Sequence, residues 1–296
     1  MDIVLSVGTR DCFIVKKSIQ YIKTNLASDT VFLITDIRNK KFFPDKFIRQ
    51  YNIVLIDENS FVPGLSFSTV SSLIKKRCEW KNYGWYLQQF LKIGFATSEY
   101  AKEQYLIWDA DTFPLRPLLF YENAKYFVTP KTEYHKPYFK TIHKLLNLDK
   151  IADYSFIAEH MMIDVNVMKE MINTLMKSDV QGDTWWEKII NALDTDDKSE
   201  KSMFAFSEFE TYGTYFLANY RDRLITKTLK TYREAGTIYG RGVTNKQLQS
   251  LSEEYDTVSF EVRHVPPFPK NITHWSGIIF LWLIQQLRRK YPSIGF

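Results

Sequence analysis

The stretch Gln104-Tyr105-Leu106-Ile107-Trp108-Asp109-Ala110-Asp111-Thr112-Phe113-Pro114-Leu115-Arg116-Pro117 places two carboxylates directly behind an unbroken apolar run. Apolar residues without polar alternation predict a strand covered on both faces, as in parallel sheets sandwiched by helices. Carboxylates forced to the end of such a strand repel each other and lose hydration unless a cation neutralises them. A hard divalent ion with oxygen ligands meets that demand and leaves positions open for phosphate oxygens. The competing reading is a structural turn. A second D-x-D triplet, Asp194-Thr195-Asp196, follows no apolar strand and sits in the charged run at 194–202, so it reads as an exposed loop.

The same grammar recurs upstream. Apolar runs at 3–7, 30–35, 52–56 and 125–129 end at Gly8-Thr9-Arg10, Asp36, Asp57 and Pro130, and a helix is expected over 13–25. Strand–helix–strand order implies an α/β fold with a mostly parallel central sheet, right-handed crossovers and ligands beyond the strands' carboxyl ends. Past residue 130 the chain reads as more helical, with helices over 140–150 and 165–178. Ser207 and Glu210 have capping-box spacing, and an apolar helix over 275–291 closes with Arg288, Arg289 and Lys290. With no repeat and no long polar linker, residues 1–296 read as one domain with halves at 1–130 and 131–296.

Composition bounds the function. The 296 residues carry 39 Lys+Arg against 34 Asp+Glu, a charge of +5, too little and too dispersed to indicate nucleic acid. Apolar residues at 45% exclude a disordered chain, and two cysteines exclude a disulfide framework. Two free thiols, no signal peptide and no run long enough to span a bilayer predict a cytosol-facing protein.

Residues 83–96 predict a helix whose Leu87, Phe90, Leu91 and Phe95 face the core. Trp85, Gln88, Gln89 and Lys92 share the other side. That strip is either a solvated face or an amide-and-ammonium wall of a sugar-phosphate pocket.

The strand-DAD-x-F-x-x-R-P arrangement, the opening strand ending Val7-Gly8-Thr9-Arg10 and the 84–92 helix together resemble nucleotide-sugar glycosyltransferases of the GT-A fold. With Phe206-Ser207-Glu208-Phe209-Glu210-Thr211-Tyr212-Gly213, the pattern is similar to poorly characterised bacterial glycosyltransferases of surface glycans. The resemblance covers 1–130 well and rests on short motifs to about 280. It implies a glycosyltransferase whose nucleotide-sugar-binding half is 1–130 and whose acceptor-binding half is 131–296. It further implies Mn²⁺ or Mg²⁺ on Asp109 and Asp111, and a nucleotide at Val7, Thr9, Arg10 and Asp36. Trp85, Gln89, Lys92 and Ala110 would complete the donor site. The implied acceptor is a glycan or lipid-linked glycan. For an inverting reaction a carboxylate must deprotonate the acceptor hydroxyl. Glu208 is the first choice and Glu210 the second, because Glu210 has a competing task in the capping box. Both also suit a helix N-terminus as ordinary acidic residues.

The family's C-terminal histidine ligand implies His274 as a third metal contact, with His264 the alternative. His135, His143 and His160 lack partners at metal spacing, and of these His160 is the best placed for an acceptor contact. Trp185-Trp186 is either a sugar platform or core, and Arg241, between Gly240 and Gly242, either a phosphate contact or a turn. The apolar tail helix packs in the core or lies peripherally on a membrane. Rival functions are a metal-dependent nucleotidyltransferase and a non-catalytic nucleotide-sugar or glycan-binding module. Pyrophosphate release marks the first, and binding without turnover marks the second.

Overall fold

The structure is a computed structural model that describes residues 1–195 and 203–290, excluding the side chains of Arg289 and Lys290. In chain order the strands are β1 Asp2–Ser6, β2 Val31–Thr35, β3 Ile53–Asp57, β4 Gln104–Trp108, β5 Thr112–Pro114, β6 Tyr121–Glu122, β7 Lys125–Val128, β8 His160–Asp164, β9 Leu224–Thr226, β10 Thr231–Tyr232 and β11 Thr257–Ser259. The helices are α1 Ile14–Asn25, α2 Asp45–Gln50, α3 Phe67–Arg77, α4 Tyr83–Gly94, α5 Lys136–Leu146, α6 Val165–Met176, α7 Trp185–Ala192, α8 Glu208–Tyr220, α9 Gly236–Tyr239, α10 Asn245–Leu251 and α11 Lys270–Lys290. The fold is α/β, with a mostly parallel sheet flanked by helices, as the apolar runs imply. Two compact units interleave along the chain. One holds Met1–Asp57, Trp108–Leu119 and the chain from Leu229 onward; the other holds Glu58–Ile107 and Phe120–Thr228.

In the first unit β1, β2 and β3 pair in parallel, Leu5 opposite Leu33 and Leu33 opposite Leu55. Ile3, Val4 and Leu5 are fully buried, as are Val31, Leu33 and Ile34. α1 turns Val15, Ile19 and Ile22 inward. A smaller sheet, invisible to periodicity because its strands have two or three residues, sets β11 antiparallel to β5 and parallel to β10. Phe113, Val258 and Phe260 form its core.

The second unit contains β4 and β8 as neighbours and a β6-β7-β9 sheet. Strand β8 escaped the sequence reading, although all five of its residues are buried. α5 starts at residue 136 rather than 140 because Pro137 favours a first helical turn, and it ends at the left-handed Asn147 (φ 53°). Trp185 and Trp186 open α7 and are buried, with Phe90 edge-on to Trp185 at 5.9 Å, so the pair is core. From Asp196 on, the charged run 194–202 lies outside the described residues.

Candidate active site

In the first unit the acidic motif sits on a turn fixed from several sides. Asp109 carbonyl accepts from the Thr112 amide at 3.1 Å, and Asp111 carbonyl from the Phe260 amide at 3.0 Å. Trp108 Nε1 and Ser18 Oγ both donate to the Thr112 carbonyl, at 2.9 and 2.7 Å. Ala110 is buried, while Asp109 and Asp111 are half-buried. Burial, then the charges of Asp11 and Asp109, push the Asp111 carboxyl well above the usual carboxylate range. Arg241 opposes that shift and Glu261 adds to it. Arg241 is itself committed: its Nη2 donates to Asp11 Oδ1 at 2.5 Å and its Nη1 to the Arg10 carbonyl at 3.1 Å. Glu261 is held by Arg233 at 2.8 Å and Arg263 at 2.7 Å.

These residues fit a hard divalent cation in one specific sense. Two oxygen donors share a place where their joint ionisation is disfavoured, and a cation reverses that balance. Among the described residues, however, no three His, Cys, Asp or Glu side chains converge to hold a metal ion. His274 therefore does not complete a three-residue set with Asp109 and Asp111 in this structure. It is 1% exposed, its Nε2 bonds the Val262 carbonyl at 3.1 Å, and its Nδ1 is buried without a partner. The carbonyl fixes the proton on Nε2, which leaves Nδ1 a bare lone pair. His264 Nδ1 is likewise buried and unpartnered.

His274 also lines a cavity of about 220 Å³ with Arg10, Lys17, Arg241, Thr273 and Ser276. Arg10, Lys17 and Arg241 make one part of its wall cationic, and Phe13, Ile14, Ile278 and Leu281 make the rest apolar. Lys17 donates to the Val243 carbonyl at 2.5 Å, and burial lowers its ammonium pKa. Arg241 is thus a buried side chain joining this cavity to the acidic turn, and Arg241 Nε has no hydrogen-bond partner. The sequence hinted at it only through the flanking glycines. Gly240 has φ +62°, and a Cβ there would meet Pro266 Cγ at 2.8 Å.

The residues expected at the nucleotide have other bonds in this structure. Val7 is buried, and its carbonyl accepts from Thr35 Oγ1 at 2.7 Å. Thr9 Oγ1 accepts from Asn39 at 3.3 Å. Asp36 caps the 3-10 turn Ile37–Phe42. Burial alone would raise its carboxyl, but hydrogen bonds from Arg38 win and lower it. Arg10 is exposed at the cavity.

The second unit corrects the reading of the 83–96 helix. Leu87, Phe90 and Leu91 face the core as expected, but Gln89 and Lys92 are buried as well, at 2% and 4% exposure. Lys92 Nζ donates to Glu208 Oε1 at 2.9 Å and lies 4.8 Å from the Phe209 ring centroid. Gln89 Oε1 accepts from the Glu208 amide at 3.1 Å, and its Nε2 donates to the Trp85 carbonyl at 3.2 Å. Trp85 meets Phe204 edge-on at 5.0 Å. Gln89 and Lys92 therefore form a buried seam joining α4 to α8, while Trp85 and Gln88 stay half-buried. Nothing in the sequence joins Lys92 to a carboxylate 116 residues away.

Only half of the expected capping box forms. Ser207 Oγ accepts from the Glu210 amide at 3.2 Å, but the Glu210 carboxylate turns instead to the Ser155 hydroxyl at 2.5 Å. Glu210 is 1% exposed, and burial raises its carboxyl pKa while the Ser155 bond works the other way. Among the other histidines, His160 is a buried β8 residue hydrogen-bonded to Thr129 at 3.0 Å, pushed down to about 3 by burial and then by Lys131. His135 bonds the Phe204 carbonyl and His143 bonds Asp149.

No curated protein matches the chain. Among solved structures it is similar to galactosyltransferase LgtC in complex with donor and acceptor sugar analogues, at 12% identity and TM-score 0.45, covering 97% of this chain and 96% of that one. It is similar to the bifunctional glycosyltransferase WbbM at 10% identity and TM-score 0.46, covering 97% of this chain and 51% of WbbM. Mouse xyloside xylosyltransferase 1 is similar at 7% identity and TM-score 0.44, covering 91% of this chain and 100% of that one. The family described as "family of unknown function (DUF6492)" matches residues 2–255, and the chain belongs to it.

Proposed function

We propose that the chain is a metal-dependent glycosyltransferase that moves a sugar from a nucleotide-diphosphate donor to a glycan or lipid-linked acceptor with inversion. The observation that carries this reading is the Asp109-Ala110-Asp111 turn, held at the end of a buried strand with the Asp111 carboxyl pushed toward its neutral form. Asp109 and Asp111 would hold Mn²⁺ or Mg²⁺, with His274 Nδ1 the first choice for a nitrogen contact and His264 the alternative. When bound, such an ion stabilises the negative charge that develops on the leaving diphosphate oxygen. Arg10, Lys17 and Arg241 supply fixed positive charge for the phosphates, and Val7, Thr9 and Asp36 shape the nucleotide end.

Glu208 takes the acceptor proton in this reading. Gln89 and Lys92, which bond Glu208, act as its positioning residues rather than as donor contacts. The Lys92 contact at 2.9 Å fixes the orientation of the Glu208 carboxylate.

The test is a panel of nucleotide-sugars in thermal-shift assays with and without Mn²⁺. One donor is expected to raise the melting temperature only with metal. Asp111→Asn should abolish that rise without lowering the melting temperature of the unliganded protein. Glu208→Gln should keep the rise and lose transfer. A panel with no metal-dependent rise overturns the transferase reading, and full turnover by Glu208→Gln moves the base elsewhere.

A further inference from the structure

α11 presents two unlike faces. Its inner side buries His274, Ile278, Leu281 and Arg288, and the Arg288 guanidinium donates to Asn39 Oδ1 and the Arg38 carbonyl, each at 2.7 Å. Its outer side carries Ile272, Trp275, Ile279, Trp282, Leu283 and Leu287, between 38% and 59% exposed. Steps of three and four residues place those six on one arc. The expectation that this helix packs in the core therefore holds for one side only.

The exposed arc has a cationic edge. Phe280 stacks on Phe13 at 6.3 Å, and Phe13 meets Phe42 edge-on at 5.7 Å. Lys16 Nζ lies 5.4 Å from the Phe13 ring centroid and Lys41 Nζ 5.5 Å from that of Phe42. The sequence of α11 contains Lys270, Arg288, Arg289 and Lys290 and no acidic residue. Among the described residues no helix is long and apolar enough to cross a membrane.

We infer that the outer face of α11, with its Phe13–Phe42 edge, is a docking surface for an anionic lipid bilayer. Apolar side chains with two tryptophans beside a cationic edge match the chemistry of a headgroup boundary, where indoles keep an N–H wet and ammonium groups meet phosphate. A second copy is the poorer occupant. A two-fold interface would bring the same lysines together against no acidic partner on the helix. The inference stands apart from the transferase reading, since it uses none of the acidic turn.

The test is flotation of the full chain with phosphatidylcholine vesicles containing or lacking phosphatidylglycerol. Binding to anionic vesicles should exceed binding to neutral ones by about tenfold or more and weaken as salt is raised. Ile279→Asp with Leu283→Asp should reduce binding by about tenfold or more while the circular-dichroism melt is retained. Lys16→Glu with Lys41→Glu should remove most of the preference for anionic lipid. Absent flotation, equal binding to both vesicle types, or an unaffected Asp double variant overturns the inference. So does a concentration-dependent dimer, seen by sedimentation velocity, that the Asp double variant dissolves.

Discussion

The two units treat charge in opposite ways. In the first, burial and the charges of Asp11, Asp109 and Glu261 raise the Asp111 carboxyl, and the same unit holds a cavity lined in part by Arg10, Lys17 and Arg241. In the second, Lys92 and Asp164 each have a close partner of matching chemistry, whereas Glu210 meets the Ser155 hydroxyl. Lys92 meets Glu208 at 2.9 Å, and Asp164 is shared by Arg223 and the Tyr126 hydroxyl while its Oδ1 caps α6. Unrelieved crowding of like charge is a frequent mark of a ligand site, whereas a satisfied buried pair fixes the geometry of its members.

The largest effect that would break this contrast is in the seam. Lys92 and Glu208 side chains are only 5% and 7% exposed, so Lys92→Met leaves a buried carboxylate without its cation. A loss of about 3–5 kcal/mol is expected. Adding Glu208→Leu should recover most of it, because a well-packed apolar pair replaces both charges. Urea unfolding at neutral pH measures both. If Lys92→Met were tolerated, the second unit would be no more committed than the first.

A smaller pair of changes compares helix glycines that face phenylalanine rings. A Cβ at Gly213 in α8 would lie 2.2 Å from Phe156 Cγ, and Phe156 is 2% exposed and has nowhere to go. Gly213→Ala should cost about 1–3 kcal/mol. At Gly277 in α11 the Cβ would lie 3.3 Å from Phe13, a ring 40% exposed and able to yield. Gly277→Ala should gain up to about 1 kcal/mol from helix propensity. Equal penalties at the two sites, by chemical denaturation, would show both units packed alike.

Much of this was legible in the residues. The runs at 3–7 and 104–108 announced buried strands because nothing polar interrupts them, and Asp109 and Asp111 stood out because of where that run stops. Strand β8 was missed because His160-Met161-Met162 lacks β-branched residues, and tertiary burial overrides that weak preference. The Lys92–Glu208 pair has no sequence signature, since a polar residue at helical spacing looks the same whether water or a distant carboxylate receives it. The outer arc of α11 stayed hidden for the converse reason. Apolar residues occupy both of its sides, so periodicity could not say which side packs.

The finest comparison lies within one turn of α8, between Glu208 with its lysine and Glu210 with only a hydroxyl. Burial raises the Glu210 carboxyl, so the native state keeps a proton that the unfolded chain gives up at the ordinary carboxylate value. That contribution to stability is fully present below the ordinary value and is lost as pH rises through the raised one. Glu210→Gln carries no proton to lose, and its amide oxygen still accepts from Ser155. The variant's stability relative to the parent should therefore climb from acid toward neutral pH, by an amount well below the Lys92→Met effect. Denaturant midpoints measured across that range give the answer, and parallel curves would mean that Glu210 is as well satisfied as its neighbour.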